Sequence, residues 1–220
     1  MFSEELIKEN ENIWRRFLPH KFLIEMAENT IKKENFEKWL VNDYYFVKNA
    51  LRFMALLMAK APDDLLPFFA ESIYYISKEL EMFEKKAQEL GISLNGEIDW
   101  RAKSYVNYLL SVASLGSFLE GFTALYCEEK AYYEAWKWVR ENLKERSPYQ
   151  EFINHWSSQE FGEYVKRIEK ILNSLAEKHG EFEKERAREV FKEVSKFELI
   201  FWDIAYGGEG NVLEHHHHHH

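Results

Sequence analysis

The sequence contains a single cysteine, Cys127, among its 220 residues. One thiol cannot form an internal disulfide, which argues against a disulfide-stabilised secreted scaffold and favours a reducing compartment. Long uncharged apolar runs are also missing, so we expect neither a signal peptide nor a membrane span. We therefore expect a cytoplasmic protein with no membrane partner.

Basic residues are outnumbered, with 29 Lys and Arg against 38 Asp and Glu and a formal net charge of −9. A protein that binds nucleic acid through its phosphates needs a local excess of positive charge. No basic recognition helix is evident either. Nucleic acid is therefore not an expected partner.

Histidine is scarce once the carboxyl-terminal run is set aside. Residues 213–220 are typical of a cloning linker followed by a purification tag, which leaves 1–212 as the folded domain. The remaining His20, His155 and His179 lack the spacing of paired metal ligands, and no Glu-x-x-His pair of the di-iron type precedes the tag. His20 follows Pro19, where a loop or capping role is favoured over haem ligation. We expect no metal and no cofactor.

Proline and glycine are few, and they fall mainly where helical patterns begin or end. No segment alternates with the period of a strand between turn signals. The spacing of apolar residues predicts an all-α, single-domain helical bundle. Its long helical segments are 36–57, 64–90, 100–143 with an interruption or bend near Gly116, 148–178 and 181–206.

Carboxylates interrupt three of the apolar stripes of these helices. Asp43 lies in WLVNDYYFV, Glu198 lies in FELIFWDIAY, and the adjacent Glu128 and Glu129 lie in LYCEEKAYYEAW. Each of them alone is compatible with a surface-reaching or ion-paired side chain. Together, set among many aromatic residues, they favour a pocket for a flat nitrogen-containing ligand, whose faces stack on rings and whose edge contacts the acids.

Cys127 has two interpretations from its position in the sequence. A nucleophilic thiolate needs a positively charged or hydrogen-bonding environment. Glu128 and Glu129 follow Cys127 directly, and their negative charge would raise the pKa of the thiol. A buried structural thiol is therefore an equal alternative.

Four segments, in the order WLVNDYYFV, LYCEEKAYYEAW, SPYQEFINHW and FELIFWDIAY, resemble the TenA or thiaminase II family over nearly the whole untagged chain. The terminal E-x-x-F-W-x-x-A-Y pattern is the most specific of these similarities. The resemblance implies a haem-oxygenase-like bundle that assembles as a homotetramer. It also implies a hydrolase that acts on an aminopyrimidine in thiamin salvage.

The resemblance also implies roles for individual residues. Asp43 corresponds to the family aspartate that binds the pyrimidine amino group, and Glu198 to the glutamate that exchanges a proton with the ring nitrogen. Positions that line the pocket correspond to Phe46, Tyr105, Tyr132 and Trp156, the last standing where many relatives have Tyr.

The sequence departs from the family at the nucleophile. Many relatives carry a catalytic Cys four residues before the tyrosine that matches Tyr132, and that position is Glu128 here. Cys127 precedes it by one residue, roughly 100° around a helix. The chain thus resembles a branch without the standard cysteine, in which Glu128, water or Cys127 supplies the attacking group.

The leading hypothesis is hydrolysis at the exocyclic methylene of a 4-amino-2-methylpyrimidine, with Glu198, Asp43 and Glu128 as catalytic residues. The pKa of Glu198 should be raised by desolvation among neighbouring rings. The sequence leaves open whether thiamin itself is cleaved. It also leaves open whether the bound molecule is hydroxymethylpyrimidine or its phosphate. The alternative is a non-catalytic pyrimidine-binding sensor or regulatory protein.

Overall fold

A computed structural model describes residues 1–208, and over this range the chain forms ten α-helices, two short 3-10 helices and no strand. The predicted tag at 213–220 lies outside the described residues. The all-α prediction is confirmed. The α-helices are α1 (Phe2–Glu9), α2 (Glu11–Phe17), α3 (Lys21–Glu28), α4 (Lys33–Lys60), α5 (Leu66–Leu90), α6 (Trp100–Leu115), α7 (Phe118–Asn142), α8 (Gln150–Trp156), α9 (Gln159–Glu177) and α10 (Glu181–Phe201).

The chain divides into two compact units, each made of two separate stretches of sequence. The first unit comprises Met1–Ile31 and Leu119–Trp202, and the second comprises Lys32–Phe118 and, within the described range, residues 203–208. In the described range, 1–208, no helix is at once long and apolar enough to cross a lipid bilayer.

The second unit is built on α4, which packs against α5 and α6. Its core consists mainly of large apolar side chains that the helices bury along one stripe. Helix α4 ends at Lys60, just before Pro62. Helix α5 is capped by Gly91, whose φ of 68° lies in the left-handed region that glycine tolerates. Asn42 Oδ1 accepts a hydrogen bond of 2.9 Å from the backbone N–H of Asp99, which fixes the start of α6 beside α4.

The first unit surrounds α7, whose residues 119–128 are all buried. Helix α9 approaches α7 closely at Gly162, where an added Cβ would lie 2.8 Å from the ring of Tyr133. Helix α10 buries the stripe that the sequence predicted, including Glu198. A helix buried on every side at 119–128 explains why two adjacent residues, Cys127 and Glu128, both lie in the interior.

Helices α1 to α3 were not predicted from the sequence. Each has only seven or eight residues, too few for a clear apolar period, and tertiary contacts stabilise them. Helix α1 is held to α9 by a hydrogen bond of 2.9 Å from Ser3 N–H to Asn173 Oδ1. The capping role expected for His20 is confirmed, because its Nδ1 accepts a hydrogen bond of 2.9 Å from the N–H of Phe22 at the start of α3.

One predicted helix boundary was wrong. The segment 148–178 is not one helical run, because α8 ends at Trp156 and α9 begins at Gln159. Ser158 caps α9 by accepting a hydrogen bond of 3.0 Å from Phe161 N–H through its Oγ. The break predicted near Gly116 is present, and the last turn of the 181–206 segment tightens into a 3-10 helix, Trp202–Tyr206.

Candidate functional site

Glu128 is the carboxylate with the most unusual surroundings in the first unit. Its side chain is only 5% exposed, and its Oε2 atom has no hydrogen-bond partner among the described residues 1–208. A buried carboxylate that is not compensated by hydrogen bonds is costly, so structural stability alone does not account for it. Such a group marks a candidate for chemistry.

Glu198 of α10 is also buried, at 3% exposure, and its charge acts on Glu128. Burial raises the pKa of Glu128 well above its ordinary value, and the negative charges of Glu129 and then Glu198 raise that pKa further. Glu128 therefore keeps its proton to a higher pH than an exposed glutamate. A carboxyl with a raised pKa remains a proton donor to a higher pH than an exposed glutamate, and it is a stronger base once it has lost the proton.

Aromatic rings of the first unit form a cluster centred on Tyr132. The Tyr132 ring lies 5.3 Å from that of Trp156 at 81°, and 5.5 Å from that of Trp202 at 18°, as measured between centroids. Trp136 lies 5.4 Å from Trp156. The structure thus brings together two residues that the sequence marked for the pocket, Tyr132 and Trp156.

Trp136 and Trp202 were not among the predicted site residues. The sequence signal was present, since Trp136 stands one helical turn after Tyr132 and Trp202 one turn after Glu198. Both are fully or almost fully buried. They extend the ring cluster around Tyr132, and their own ring centroids lie 6.1 Å apart.

The second unit contains the other three predicted residues. Asp43 of α4 is 1% exposed, and Phe46, one turn later on the same helix, is half-buried. The Phe46 ring lies 4.8 Å from that of Tyr105 on α6, with an angle of 48° between their planes. Within this unit, Phe46 and Tyr105 are therefore neighbours and the Asp43 side chain is internal.

Cys127 has the features of a structural thiol. Its side chain is fully buried, and its Sγ lies 3.4 Å from Ser195 Oγ and 3.7 Å from the backbone oxygen of Phe191. Burial is the largest cause that raises the pKa of this thiol well above its usual value; the charges of Glu198 and Glu128 also raise it, and the Ser195 hydroxyl opposes them. A thiol with a raised pKa is a poor nucleophile at neutral pH.

The histidines of the described residues serve local contacts. His155 lies edge-on to Trp156, with 5.5 Å between ring centroids, and His179 Nδ1 lies 2.7 Å from the backbone oxygen of Leu175. Between residues 1 and 208, no group of three or more His, Cys, Asp or Glu side chains is arranged to hold a metal ion.

Nearly the whole described chain matches one known protein family. The model of the TENA/THI-4/PQQC family matches residues 7–208, across both units. The chain is 27% identical over 226 residues to an aminopyrimidine aminohydrolase of Helicobacter pylori, a similarity that covers 93% of this chain and 98% of the relative.

Solved structures show the same architecture. A TenA homologue from P. horikoshii OT3 has a TM-score of 0.86 at 28% identity, covering 94% of this chain and 99% of the other. A domain with a heme oxygenase-like fold from Shewanella denitrificans OS217 has a TM-score of 0.76 at 13% identity, covering 96% and 94% of the two chains. The haem-oxygenase-like fold predicted from the sequence is thereby confirmed.

Proposed function

The chain belongs to the TENA/THI-4/PQQC family, and from this we propose that it is an aminopyrimidine hydrolase of thiamin salvage. Its substrate would be a 4-amino-2-methylpyrimidine with an amine on the exocyclic methylene at position 5. The products would be the hydroxymethyl pyrimidine and ammonia or a modified amine. The observation that carries the proposal is the buried Glu128 carboxyl, with no hydrogen-bond partner for Oε2 among the described residues and with Glu198 acting on it.

The proposed reaction is a substitution at the methylene carbon, in which the C–N bond to the amine breaks and a C–O bond to water forms. Glu198 would protonate a ring nitrogen, so that the ring accepts the electron pair that moves during addition and departure. Glu128 would take a proton from the attacking water and would pass one to the leaving amine. Its raised pKa supports both transfers, because a carboxyl that holds its proton more strongly is also a stronger base after losing it.

Binding roles follow from the resemblance and from the burial of each residue. Asp43 would accept hydrogen bonds from the pyrimidine amino group and stabilise the positive charge that develops there. Phe46, Tyr105, Tyr132 and Trp156 would contact the ring faces of the ligand. Trp156 would set the substrate range, since an indole differs from the usual phenol in both shape and hydrogen bonding.

Water is the proposed attacking group, and not Cys127. The fully buried thiol, whose pKa is raised, supports a reaction that does not pass through a cysteine adduct. The proposal includes assembly as a homotetramer in the cytoplasm. Light scattering after gel filtration should then give four times the 26.5 kDa mass of one chain.

The decisive experiment follows product formation by mass spectrometry, with the 5-aminomethyl pyrimidine and thiamin as parallel substrates. Glu198→Gln should lower turnover of the aminopyrimidine by about 100-fold, because the amide cannot exchange the proton. The matched control is Glu193→Gln on the same helix, where a side chain that is 44% exposed pairs only with Lys196 in the described structure, and this variant should leave turnover unchanged.

Two results would contradict the proposal in different ways. Undiminished turnover in Glu198→Gln would remove this glutamate from the mechanism. Thermal stabilisation by the pyrimidine without any product on long incubation would identify a binding protein, the sensor alternative, instead of a hydrolase.

A further inference from the structure

A buried polar connection joins α2, α7 and α10 inside the first unit. Trp14 Nε1–H donates a hydrogen bond of 2.9 Å to Ser195 Oγ, and Ser195 Oγ–H donates one of 2.8 Å to the backbone oxygen of Phe191. The Cys127 thiol meets the same hydroxyl at 3.4 Å. Ser195 is thus the point at which three helices share one polar contact.

This contact is fully removed from water. Ser195 and Cys127 have no exposed surface, and Trp14 is 5% exposed. The Trp14 ring also stacks on Phe191, with the ring planes 1° apart and the centroids 5.9 Å apart. A hydrogen bond in such surroundings resists displacement, because its loss leaves a buried donor unsatisfied.

The connection lies beside Glu128 and Glu198 along the two helices. Cys127 immediately precedes Glu128 on α7, and Ser195 stands three residues before Glu198 on α10. Residues three apart share one face of a helix, so Ser195 and Glu198 are neighbours on α10. Any displacement of α10 against α7 at Ser195 therefore moves Glu198 relative to Glu128.

Two buried carboxylates repel each other when both are charged, so moving them apart lowers their electrostatic free energy. A restraint between α7 and α10 is needed to keep them near each other. The contacts from Ser195 to Trp14 and Cys127 supply such a restraint one helical turn from Glu198. The described hydrogen bonds of Ser195 involve no carboxylate, which separates its role from theirs.

We propose that Ser195, held by Trp14, is a positioning residue that fixes α10 against α7 and so sets the spacing of the Glu128 and Glu198 carboxyls. The catalytic consequence rests on the proposed hydrolase function, whereas the spacing itself does not. Within the first unit, the acidic groups that act on Glu128 are Glu129 on its own helix and Glu198 on α10, beside the Cys127 thiol. Only the effect of Glu198 depends on Ser195.

The test replaces Ser195 by Ala and measures two quantities in the full chain. The first is the pH at which the Glu128 carboxyl loses its proton, followed by carbon NMR of labelled glutamate and assigned with Glu128→Gln. With Glu198 less closely held, this midpoint should fall by about 0.5 pH units or more. The second is turnover of the aminopyrimidine, in which kcat should fall about 10-fold while KM stays within about twofold, because the catalytic geometry changes more than the binding.

The matched control is Thr123→Val on α7. The Thr123 hydroxyl is fully buried and donates to the Leu119 backbone oxygen of its own helix at 2.7 Å, so the variant removes a buried hydroxyl without releasing α10. It should leave both the midpoint and kcat as in the parent protein. A second variant, Trp14→Phe, removes the hydrogen-bond donor to Ser195 and should shift the Glu128 midpoint in the same direction as Ser195→Ala. It tests the positioning role of Ser195 if Ser195→Ala does not fold.

The outcomes separate this inference from the proposed function. An unchanged Glu128 midpoint in a folded Ser195→Ala or Trp14→Phe variant overturns the positioning role, whatever the activity. A parent protein without hydrolase activity overturns the proposed function, while a shifted midpoint in the variants would still support the positioning role. A shift of equal size in Thr123→Val would show a general loosening of α7 and would also overturn it.

Discussion

At the scale of single residues, Cys127 and Glu128 show how neighbours on one helix acquire different chemistry. Both are buried, and the pKa of each is raised. A raised pKa keeps the thiol in its less reactive form, whereas it keeps the carboxyl protonated and able to take part in proton transfer. The same burial therefore disfavours Cys127 as a nucleophile and favours Glu128 as an acid and base.

Cys127 should resist thiol reagents in the native protein. Its side chain has no exposed surface and its pKa is raised, so little thiolate is present and little of it is accessible. We expect labelling by an aromatic disulfide reagent at pH 7.5 to be about 100-fold slower in the native protein than in guanidinium chloride. Because the sequence has one cysteine, the absorbance of the aromatic thiolate that the reagent releases reports this site alone. Complete labelling of the folded protein within seconds would show that the thiol is accessible and reactive.

The sequence predicted the direction of the Cys127 pKa shift but not its main cause. It attributed the shift to Glu128 and Glu129, the neighbours that a sequence displays. In the structure the largest cause is burial, followed among the raising causes by Glu198, 71 positions away, and then by Glu128. Burial and distant charges depend on helix packing, which apolar spacing does not determine in detail. The raised pKa expected for Glu198 itself stays a prediction.

At the scale of elements, the sequence predicted long helices well and short ones poorly. Helices α4, α5 and α10 each span five turns or more, and their apolar stripes and terminal signals such as Pro62 and Gly91 defined them. Helices α1 to α3 are too short to show a period. The break between α8 and α9 depends on Ser158, and a serine is as compatible with a helix interior as with a cap until its hydrogen bond is known.

The His20 cap should contribute measurably to stability. Its Nδ1 accepts from Phe22 N–H at the start of α3, where the N–H groups of the first turn lack helical partners. His20→Ala should lower the free energy of unfolding by about 1 kcal/mol, which corresponds to a melting temperature about 2–4 °C lower for a chain of this size. His20→Asn, which supplies a side-chain oxygen as the acceptor in place of the ring nitrogen, is the control and should recover most of the loss. Equal stability of His20→Ala and the parent would show that the cap contributes nothing.

At the scale of the whole molecule, the candidate site residues are distributed over both units. Asp43, Phe46 and Tyr105 belong to the second unit, while Glu128 and Glu198 belong to the first. Sequence reasoning placed each acid on a buried helix face, which the structure confirms for all three. Helical spacing places Trp136 one turn from Tyr132, but it could not predict that the Trp202 ring stacks on Tyr132, because ring contacts between separate helices depend on their packing angles.

The raised pKa of Glu128 should make global stability depend on pH. In the unfolded chain this carboxyl has an ordinary pKa of about 4.3, whereas burial and nearby charges raise it in the folded state. Between the two values the folded state binds a proton that the unfolded state has lost, so the free energy of unfolding falls as pH rises. The stability from Glu128 is thus fully present below the unfolded pKa and is lost as pH rises through the folded one.

Glu128→Gln removes this dependence, since the amide does not titrate. Relative to the parent, the variant should gain about 1 kcal/mol or more between pH 4 and pH 8, measured by urea unfolding at a fixed protein concentration. Glu141→Gln is the control on the same helix, because Glu141 is exposed and its difference from the parent should stay nearly constant over this range. If the difference in the free energy of unfolding between Glu128→Gln and the parent is equally independent of pH, Glu128 ionises in the folded protein as readily as in the unfolded chain. That result would remove the basis for its role in proton transfer.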